Sequence, residues 1–168
     1  MSISKEIFAR FIVLSVLVAM VPFAGCSKKQ QAEEDPTVPT APAVEDTVLG
    51  DSDSGKALGL QTINFPYDSF VLDGQAKAAL KANAQIMNDK SSLKVQIEGH
   101  CDQRGGIQYN IALGEKRANS VRNYMTDLGV TADRITTISY GKERPIDPGM
   151  TEEAFGKNRR ANFVITSR

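Results

Sequence analysis

The sequence predicts an α/β (α+β) sandwich in which helices pack on one mixed sheet behind a disordered tether. Two observations support this prediction. Between residues 61 and 168, stretches of alternating apolar and polar residues are separated by stretches with helical apolar spacing, in the order β-α-β-α-β-α-β. The whole chain has 41% hydrophobic and 24% charged residues, close to the average of globular proteins.

The first half of the domain contains a short strand, a helix and a longer strand. Residues 62–65 are expected to form a strand that Pro66 ends. Asp73 is a suitable N-cap for a helix over residues 74–88. Residues 93–98 alternate apolar and polar side chains, as a half-buried strand does.

The second half repeats this alternation. A turn at residues 99–106 leads into a long helix that Gly129 ends. Residues 134–140 predict a third strand, residues 151–156 a short helix, and residues 161–166 a last strand. The long helix has a predicted core stripe, formed by Ile107, Ile111, Ala118, Val121, Met125 and Leu128.

The ionisable residues exclude several classes of function. Lysine plus arginine and aspartate plus glutamate each total 20, so the formal net charge is zero. This balance argues against a general nucleic-acid binder. One histidine and two cysteines argue against a structural zinc site and a disulfide-framed scaffold. We expect neither a metal nor a cofactor.

Residues 1–25 are predicted to be a lipoprotein signal peptide. Lys5 and Arg10 precede an uncharged apolar run of thirteen residues, which is short for a transmembrane helix of about 20 residues. The run closes on Phe-Ala-Gly-Cys, which resembles a bacterial lipobox. Cys26 is therefore expected to carry the lipid that attaches the mature chain to a membrane. An ordinary secretory signal with a cysteine nearby is the alternative.

Residues 26–60 are predicted to be the lipidated N-terminus and a disordered linker. They contain three lysines, seven acidic residues and no aromatic residue. Prolines recur every third residue at Pro36, Pro39 and Pro42, which favours extended polyproline II structure. Such a segment has too little apolar surface to form a core.

Three separated motifs resemble one family. They are Gly-His-Cys-Asp-Gln-Arg-Gly at residues 99–105, Tyr-Asn-Ile-Ala-Leu-Gly-Glu-Lys-Arg-Ala at residues 109–118, and Asn-Arg-Arg-Ala at residues 158–161. In this order they are similar to the signature of the OmpA-like C-terminal domain family. The resemblance covers residues 61–168. With the lipobox and tether, the chain is most similar to the lipid-anchored members that belong to the Tol–Pal system.

The resemblance implies an outer-membrane lipoprotein whose domain faces the periplasm. Such a domain would bind the diaminopimelate stem peptide of peptidoglycan non-covalently. It would link the outer membrane to the cell wall and support envelope integrity and constriction during cell division. A TolB-like periplasmic protein is the implied partner. The alternative is an envelope lipoprotein whose domain is mainly a scaffold for a protein partner.

The resemblance also assigns the two principal site residues, Asp102 to the ligand ammonium and Arg117 to its carboxylate. A free diaminopimelate centre has both groups on one carbon, so its site needs an anion and a cation held close together. The planar fork of Arg117 suits a bidentate contact with the carboxylate. Asn110 lies seven residues before Arg117, on nearly the same helix face. The alternatives are a turn cap for Asp102 and a solvated charge for Arg117.

The same resemblance implies four further site residues. Asp68 would border the pocket from the loop of residues 65–68, where Tyr67 contacts either the ligand or the core. Leu113 would form a pocket wall, although its spacing also fits the core. Asn158 and Arg159 would shape the site, and the alternative is a basic surface cluster.

Adjacent His100, Cys101 and Asp102 do not predict an enzyme. Neighbours on an extended segment point to opposite faces, and the chain has no second histidine to act as a base. His100 is expected to form structural hydrogen bonds beside the turn. If Cys26 is acylated, Cys101 is expected to be a free, buried thiol.

Overall fold

One four-stranded mixed sheet organises the protein. The structure is a computed structural model that describes residues 49–168. The elements, in chain order, are β1 (Ile63–Asn64), α1 (Gly74–Asp89), β2 (Lys94–His100), α2 (Ile107–Asp127), a 3₁₀ turn (Ala132–Arg134), β3 (Ile135–Gly141), α3 (Glu152–Asn158) and β4 (Arg160–Ser167). The predicted order of elements is confirmed. The signal peptide, Cys26 and most of the tether lie outside the described residues.

The strand order brings the ends of two strands to one edge of the sheet. The order is β1-β4-β2-β3, with β2 parallel to β3 and β4 antiparallel to both β1 and β2. Because β2 and β3 are parallel, their last residues His100 and Gly141 are paired. The Cys101 amide donates to the Gly141 carbonyl at 2.8 Å. The turn that follows β2 is therefore fixed at the carboxyl edge of the sheet.

Helices α1 and α2 contact each other and pack against the sheet. The predicted N-cap is confirmed, since Asp73 Oδ1 accepts the Ala76 amide at 2.8 Å. Fully buried side chains from both helices and two strands form the centre of the core: Leu80, Met87, Ile97, Val121, Met125 and Phe163. Within residues 49–168, no helix is both long enough and apolar enough to cross a bilayer.

The predicted core stripe of α2 is right in its second half and wrong in its first. Ala118, Val121 and Met125 are buried, whereas Ile107 is 53% exposed and Ile111 is only partly buried. The first half of the helix instead turns Asn110 inward. Hydrogen bonds to the neighbouring turn make this polar burial favourable, and apolar spacing does not reveal it.

Residues 49–60 belong to the folded domain, so the linker boundary predicted at residue 60 is too late. The Leu49 amide donates to the Ile165 carbonyl at 3.2 Å, and the Ser52 amide donates to the Phe163 carbonyl at 2.9 Å. Ala57 and Leu60 are buried in the core. This segment pairs with β4, more than 100 residues later, and local periodicity carries no sign of so distant a partner.

Candidate ligand-binding cleft

A charged cleft lies where the segments that follow β1, β2 and α3 meet the first half of α2. Six of the seven predicted domain site residues line it, and they are Asp68, Asp102, Asn110, Leu113, Arg117 and Arg159. Tyr67, Cys101, Arg104 and Tyr109 complete most of its wall. The fold therefore brings together residues that are up to 92 positions apart in the chain.

Close packing of α2 on β2 brings Arg117 into the interior. A Cβ atom on Gly99 would lie 1.9 Å from the carbonyl oxygen of Gly114, so the backbones of strand and helix approach in a way only glycine permits. Arg117 is 0% exposed. The interpretation of Arg117 as a solvated helix charge is wrong.

The Arg117 guanidinium holds two loops together. Its Nε donates to the Ser69 carbonyl at 2.8 Å, and Nη2 donates to the Pro66 carbonyl at 3.2 Å. Nη1 donates to the His100 carbonyl at 2.8 Å and also lies 3.4 Å from the Cys101 sulfur. Arg117 thereby connects the loop after β1 with the end of β2.

These contacts leave Arg117 little capacity for a ligand. A guanidinium has five N–H groups, and four are engaged within the described residues, so one Nη2 hydrogen is left. The expected bidentate contact with a carboxylate does not fit this arrangement. Burial lowers the pKa of the Arg117 guanidinium, which nevertheless stays charged because an arginine in a protein does not lose its proton.

Asp102 is a nearly buried carboxylate that two arginines contact. Oδ1 accepts the Arg104 amide at 3.1 Å, so the turn-capping role also exists. Oδ2 accepts Nη2 of Arg104 at 2.6 Å and Nη1 of Arg159 at 3.2 Å. Burial by itself raises the pKa of Asp102, but the hydrogen bonds from Arg104 and Arg159 outweigh it and the pKa is lowered. Asp102 is ionised at neutral pH.

Arg104 is a further cleft residue, and it is not among the predicted site residues. Its guanidinium carbon lies 4.0 Å from the centre of the Tyr67 ring and 4.5 Å from that of Phe155. Tyr67 is 61% exposed at the cleft, so it is not a core residue. Asp102 and Arg104 are two residues apart in one turn, and this spacing could have indicated that they form a pair. The aromatic partners of Arg104 come from distant segments, so the sequence could not indicate them.

Asn110, Leu113 and Asp68 form other parts of the cleft. Asn110 Nδ2 donates to the Arg104 carbonyl at 2.7 Å and so holds the turn in place. Leu113 is buried beside the cleft and lies outside the main core cluster. The Tyr109 hydroxyl donates to the Asp68 carboxylate, and this bond raises the pKa of Tyr109.

The residues at the end of α3 are buried, so the interpretation as a basic surface cluster is wrong. Arg159 lines the cleft, but Asn158 does not. Asn158 Oδ1 accepts the amides of Ile146 and Asp147 at 2.9 and 3.2 Å, and its Nδ2 donates to the Asp147 carbonyl at 2.7 Å. Asn158 supports the loop before α3 and has no direct place in the cleft.

The surroundings of His100 and Cys101 indicate structural roles for both residues. His100 is buried, stacks on Tyr140, and its Nε2 lies 3.4 Å from Glu98 Oε2. The Cys101 thiol donates to the Asn110 carbonyl at 3.3 Å, and burial raises its pKa. Among residues 49–168, Cys101 is a free cysteine. A protonated, buried thiol is a poor nucleophile.

The sequence and the fold match known proteins. The model of the OmpA family matches residues 64–159. The peptidoglycan-associated lipoprotein of Pasteurella multocida is 42% identical over 100 residues, which are 60% of this chain and 67% of that protein. The one of Pseudomonas aeruginosa is 34% identical over 93% of this chain and 96% of its own length. For the relatives from Haemophilus influenzae and Buchnera aphidicola, the match spans 65% and 60% of their length.

Solved structures agree with these matches. The crystal structure of the peptidoglycan-associated lipoprotein from Burkholderia pseudomallei has a TM-score of 0.62 and 35% identity, over 67% of this chain and 96% of that chain. The C-terminal domain of Helicobacter pylori MotB, at 20% identity and a TM-score of 0.61, shares the fold. The chain belongs to the OmpA family and, within it, to the peptidoglycan-associated lipoproteins.

Proposed function

We propose that the cleft binds the diaminopimelate-bearing stem peptide of peptidoglycan without covalent chemistry. One observation supports this most: an ionised carboxylate, Asp102, and a buried guanidinium, Arg117, line the same cleft. A free diaminopimelate centre presents an ammonium and a carboxylate on one carbon. Paired, fixed charges of opposite sign suit such a zwitterion and discriminate against ligands with only one of the two charges.

Each cleft residue has a proposed role. Asp102 accepts hydrogen bonds from the ligand ammonium, and the remaining Nη2 hydrogen of Arg117 reaches the ligand carboxylate. Arg159 holds Asp102 in place, and Leu113 contacts the aliphatic part of the ligand. Asp68 borders the cleft, whereas Asn110 and Asn158 act by supporting the turn and the loop beside it.

The proposed activity is binding and not catalysis. The cleft residues are arranged as mutually hydrogen-bonded charges, and the thiol of Cys101 is kept protonated by burial. The relatives are named as lipoproteins associated with peptidoglycan. Attachment at one end and cell-wall binding at the other would make this chain a link between the outer membrane and the cell wall.

The attachment is proposed to be the lipid on Cys26, with the domain in the periplasm. Because residues 49–60 are part of the domain, the tether consists of the 22 residues from Ser27 to Val48. Fully extended, it spans roughly 75 Å. A link of this kind would support envelope integrity and constriction during cell division within a Tol–Pal system, with a TolB-like periplasmic protein as partner.

Sedimentation with purified sacculi tests the binding proposal. The protein should pellet with sacculi that contain diaminopimelate, and free diaminopimelate should release it. A matched competitor is 1,5-diaminopentane, which has the same two ammonium groups but no carboxylate and should release little protein. Equal release by both compounds would contradict recognition of a zwitterion. Absence of pelleting would favour the alternative of a scaffold for a protein partner.

Metabolic labelling tests the anchor. Cells supplied with a labelled fatty acid should incorporate the label into the wild-type protein and not into Cys26→Ser. The unlipidated variant should still pellet with sacculi, because the tether separates the anchor from the domain. Label that persists in Cys26→Ser would remove the lipid assignment.

A further inference from the structure

The Asp102 carboxylate has no vacant acceptor position in this structure. A carboxylate offers about four lone-pair sites. Oδ1 accepts the Arg104 amide at 3.1 Å, and Oδ2 accepts Arg104 Nη2 at 2.6 Å and Arg159 Nη1 at 3.2 Å. Arg104 Nε is shared between Oδ1 at 3.3 Å and Oδ2 at 3.2 Å, so four donors surround the carboxylate. A ligand ammonium that binds Asp102 therefore has to replace a donor that is already there.

Arg104 is the donor that can leave more easily. Arg159 is nearly buried, and its Nε also donates to the Phe65 carbonyl at 3.1 Å. The Arg104 side chain is 34% exposed, and its only other carboxylate contact among the described residues is the exposed Glu152 at 3.3 Å. Exposed ion pairs contribute little to stability, so the contact with Glu152 does little to keep Arg104 in place.

The aromatic rings of Tyr67 and Phe155 stabilise the state in which Arg104 contacts Asp102. They flank the Arg104 guanidinium at 4.0 and 4.5 Å, and such stacking stabilises a cation at this position. Neither ring contacts Asp102 through a charge, so the stacking acts on Arg104 and not on the carboxylate that a ligand ammonium would bind.

We infer that Arg104 is an internal competitor, a residue that holds Asp102 in the unliganded protein and leaves it when a ligand ammonium binds. This inference rests on the proposed function of the cleft. Occupation of the site by Arg104 reduces the apparent affinity in proportion to the fraction of open molecules. If the site is open about one tenth of the time, the affinity is about tenfold weaker than in a permanently open site.

Calorimetric titration of the purified full-length protein in detergent tests this inference. The probe is the tripeptide L-alanyl-γ-D-glutamyl-meso-diaminopimelate. Arg104→Gln should bind it about tenfold more tightly than the wild type does. The matched control is Arg144→Gln, since Arg144 also stacks on an aromatic ring, that of Tyr140 at 3.7 Å, but does not line the cleft. Arg144→Gln should bind like the wild type.

A second ligand separates competition from a structural effect. The second ligand is the same tripeptide acetylated on the free amine of its diaminopimelate residue, so that the ammonium proposed to bind Asp102 is absent. Arg104→Gln should bind this peptide no more tightly than the wild type does. Weaker binding of the free tripeptide by Arg104→Gln, with an unchanged melting temperature, would overturn the inference and indicate that Arg104 contacts the ligand. An equal gain for both peptides would overturn it as well. If the wild type binds neither the free tripeptide nor sacculi, the proposed function itself fails.

Discussion

Arg159 and Arg160 are neighbours in the chain, yet they pair with carboxylates in two different regions. Arg159 contacts Asp102 in the cleft at 3.2 Å, whereas Arg160 Nε donates to Asp53 Oδ2 at 2.7 Å. Asp53 lies in the segment that pairs with β4, and its Oδ1 also accepts the Thr62 hydroxyl at 2.9 Å. Both carboxylate–guanidinium pairs are largely shielded from solvent.

The difference between the two pairs is what surrounds the carboxylate. Asp53 is enclosed by protein groups that attach the segment of residues 49–56 to the sheet, and it does not line the cleft. Asp102 borders a cleft, and one of its partners, Arg104, is partly exposed. The same pair of chemical groups therefore has an architectural role at Asp53 and can exchange partners at Asp102.

The largest expected effect follows from removing Arg117, which has both an architectural role and a proposed role in ligand binding. In Arg117→Ala, three backbone carbonyls lose a buried donor, so we expect a loss of about 3–5 kcal/mol in the free energy of unfolding, together with loss of binding. Chemical denaturation and sacculus sedimentation measure the two effects. A variant with wild-type stability would contradict the structural role. The sequence alone favoured a pure binding role, in which the fold would be unaffected.

Asp53→Ala should affect stability only. It leaves the Arg160 guanidinium without its carboxylate, and we expect a loss of about 3 kcal/mol in the free energy of unfolding. Sacculus binding at 20 °C should match the wild type, since residue 53 is not part of the cleft. Weakened binding by folded Asp53→Ala protein would show that the two regions are coupled. Asp133→Ala, at an exposed position, is a control for removing an acidic residue.

Asp102→Asn should affect binding more than stability. The loss of the carboxylate leaves the ligand ammonium unmatched, at a typical loss of about 2–5 kcal/mol, or roughly thirtyfold or more in affinity. Stability should fall less than in Asp53→Ala, because Arg159 keeps Phe65 and Glu152 as partners. Lys90→Ala, an exposed control, should bind like the wild type. Full sedimentation of folded Asp102→Asn protein would contradict the assignment of the site.

The pH dependence of binding should follow the lowered pKa of Asp102. A carboxyl whose pKa is lower in the folded protein keeps its charge above the unfolded value of about 3.9 and loses it only as the pH falls through the folded value. Sacculus binding should therefore be constant between about pH 7 and pH 5. A decline centred near pH 6 would implicate a histidine and contradict the role of Asp102.

The smallest effect is expected at Cys101. Because burial raises the pKa of its thiol, native protein should react slowly with a thiol reagent and denatured protein quickly. Cys101→Thr should change stability by less than about 1 kcal/mol and bind normally, since a hydroxyl can also donate to the Asn110 carbonyl. A disulfide at Cys101 in the native protein would contradict its proposed surroundings.

Local patterns predicted most of the fold. Asp73 and Gly129 mark helix ends as expected, and β2 and β4 lie where strands were predicted. Alternating burial is found in β2, whereas Arg160 to Ile165 of β4 are all buried. The two misassignments have different causes. Residues 49–60 are held by pairing with β4, a partner that is distant in sequence. Ile107 is exposed because Asn110 turns inward to bond the Arg104 and Gly106 carbonyls, and apolar spacing does not reveal such polar bonds even though these partners are near in sequence.

The sequence by itself determined the order of the elements, the family resemblance and the residue types that a zwitterion site needs. Only the tertiary structure decided how those residues are used. It buries Arg117 among backbone carbonyls, pairs Asp102 with Arg104 and Arg159, and moves Asn158 to a supporting role. The physical reason is that charge and spacing are properties of the chain, whereas burial and the choice of hydrogen-bond partner depend on which distant segments pack together.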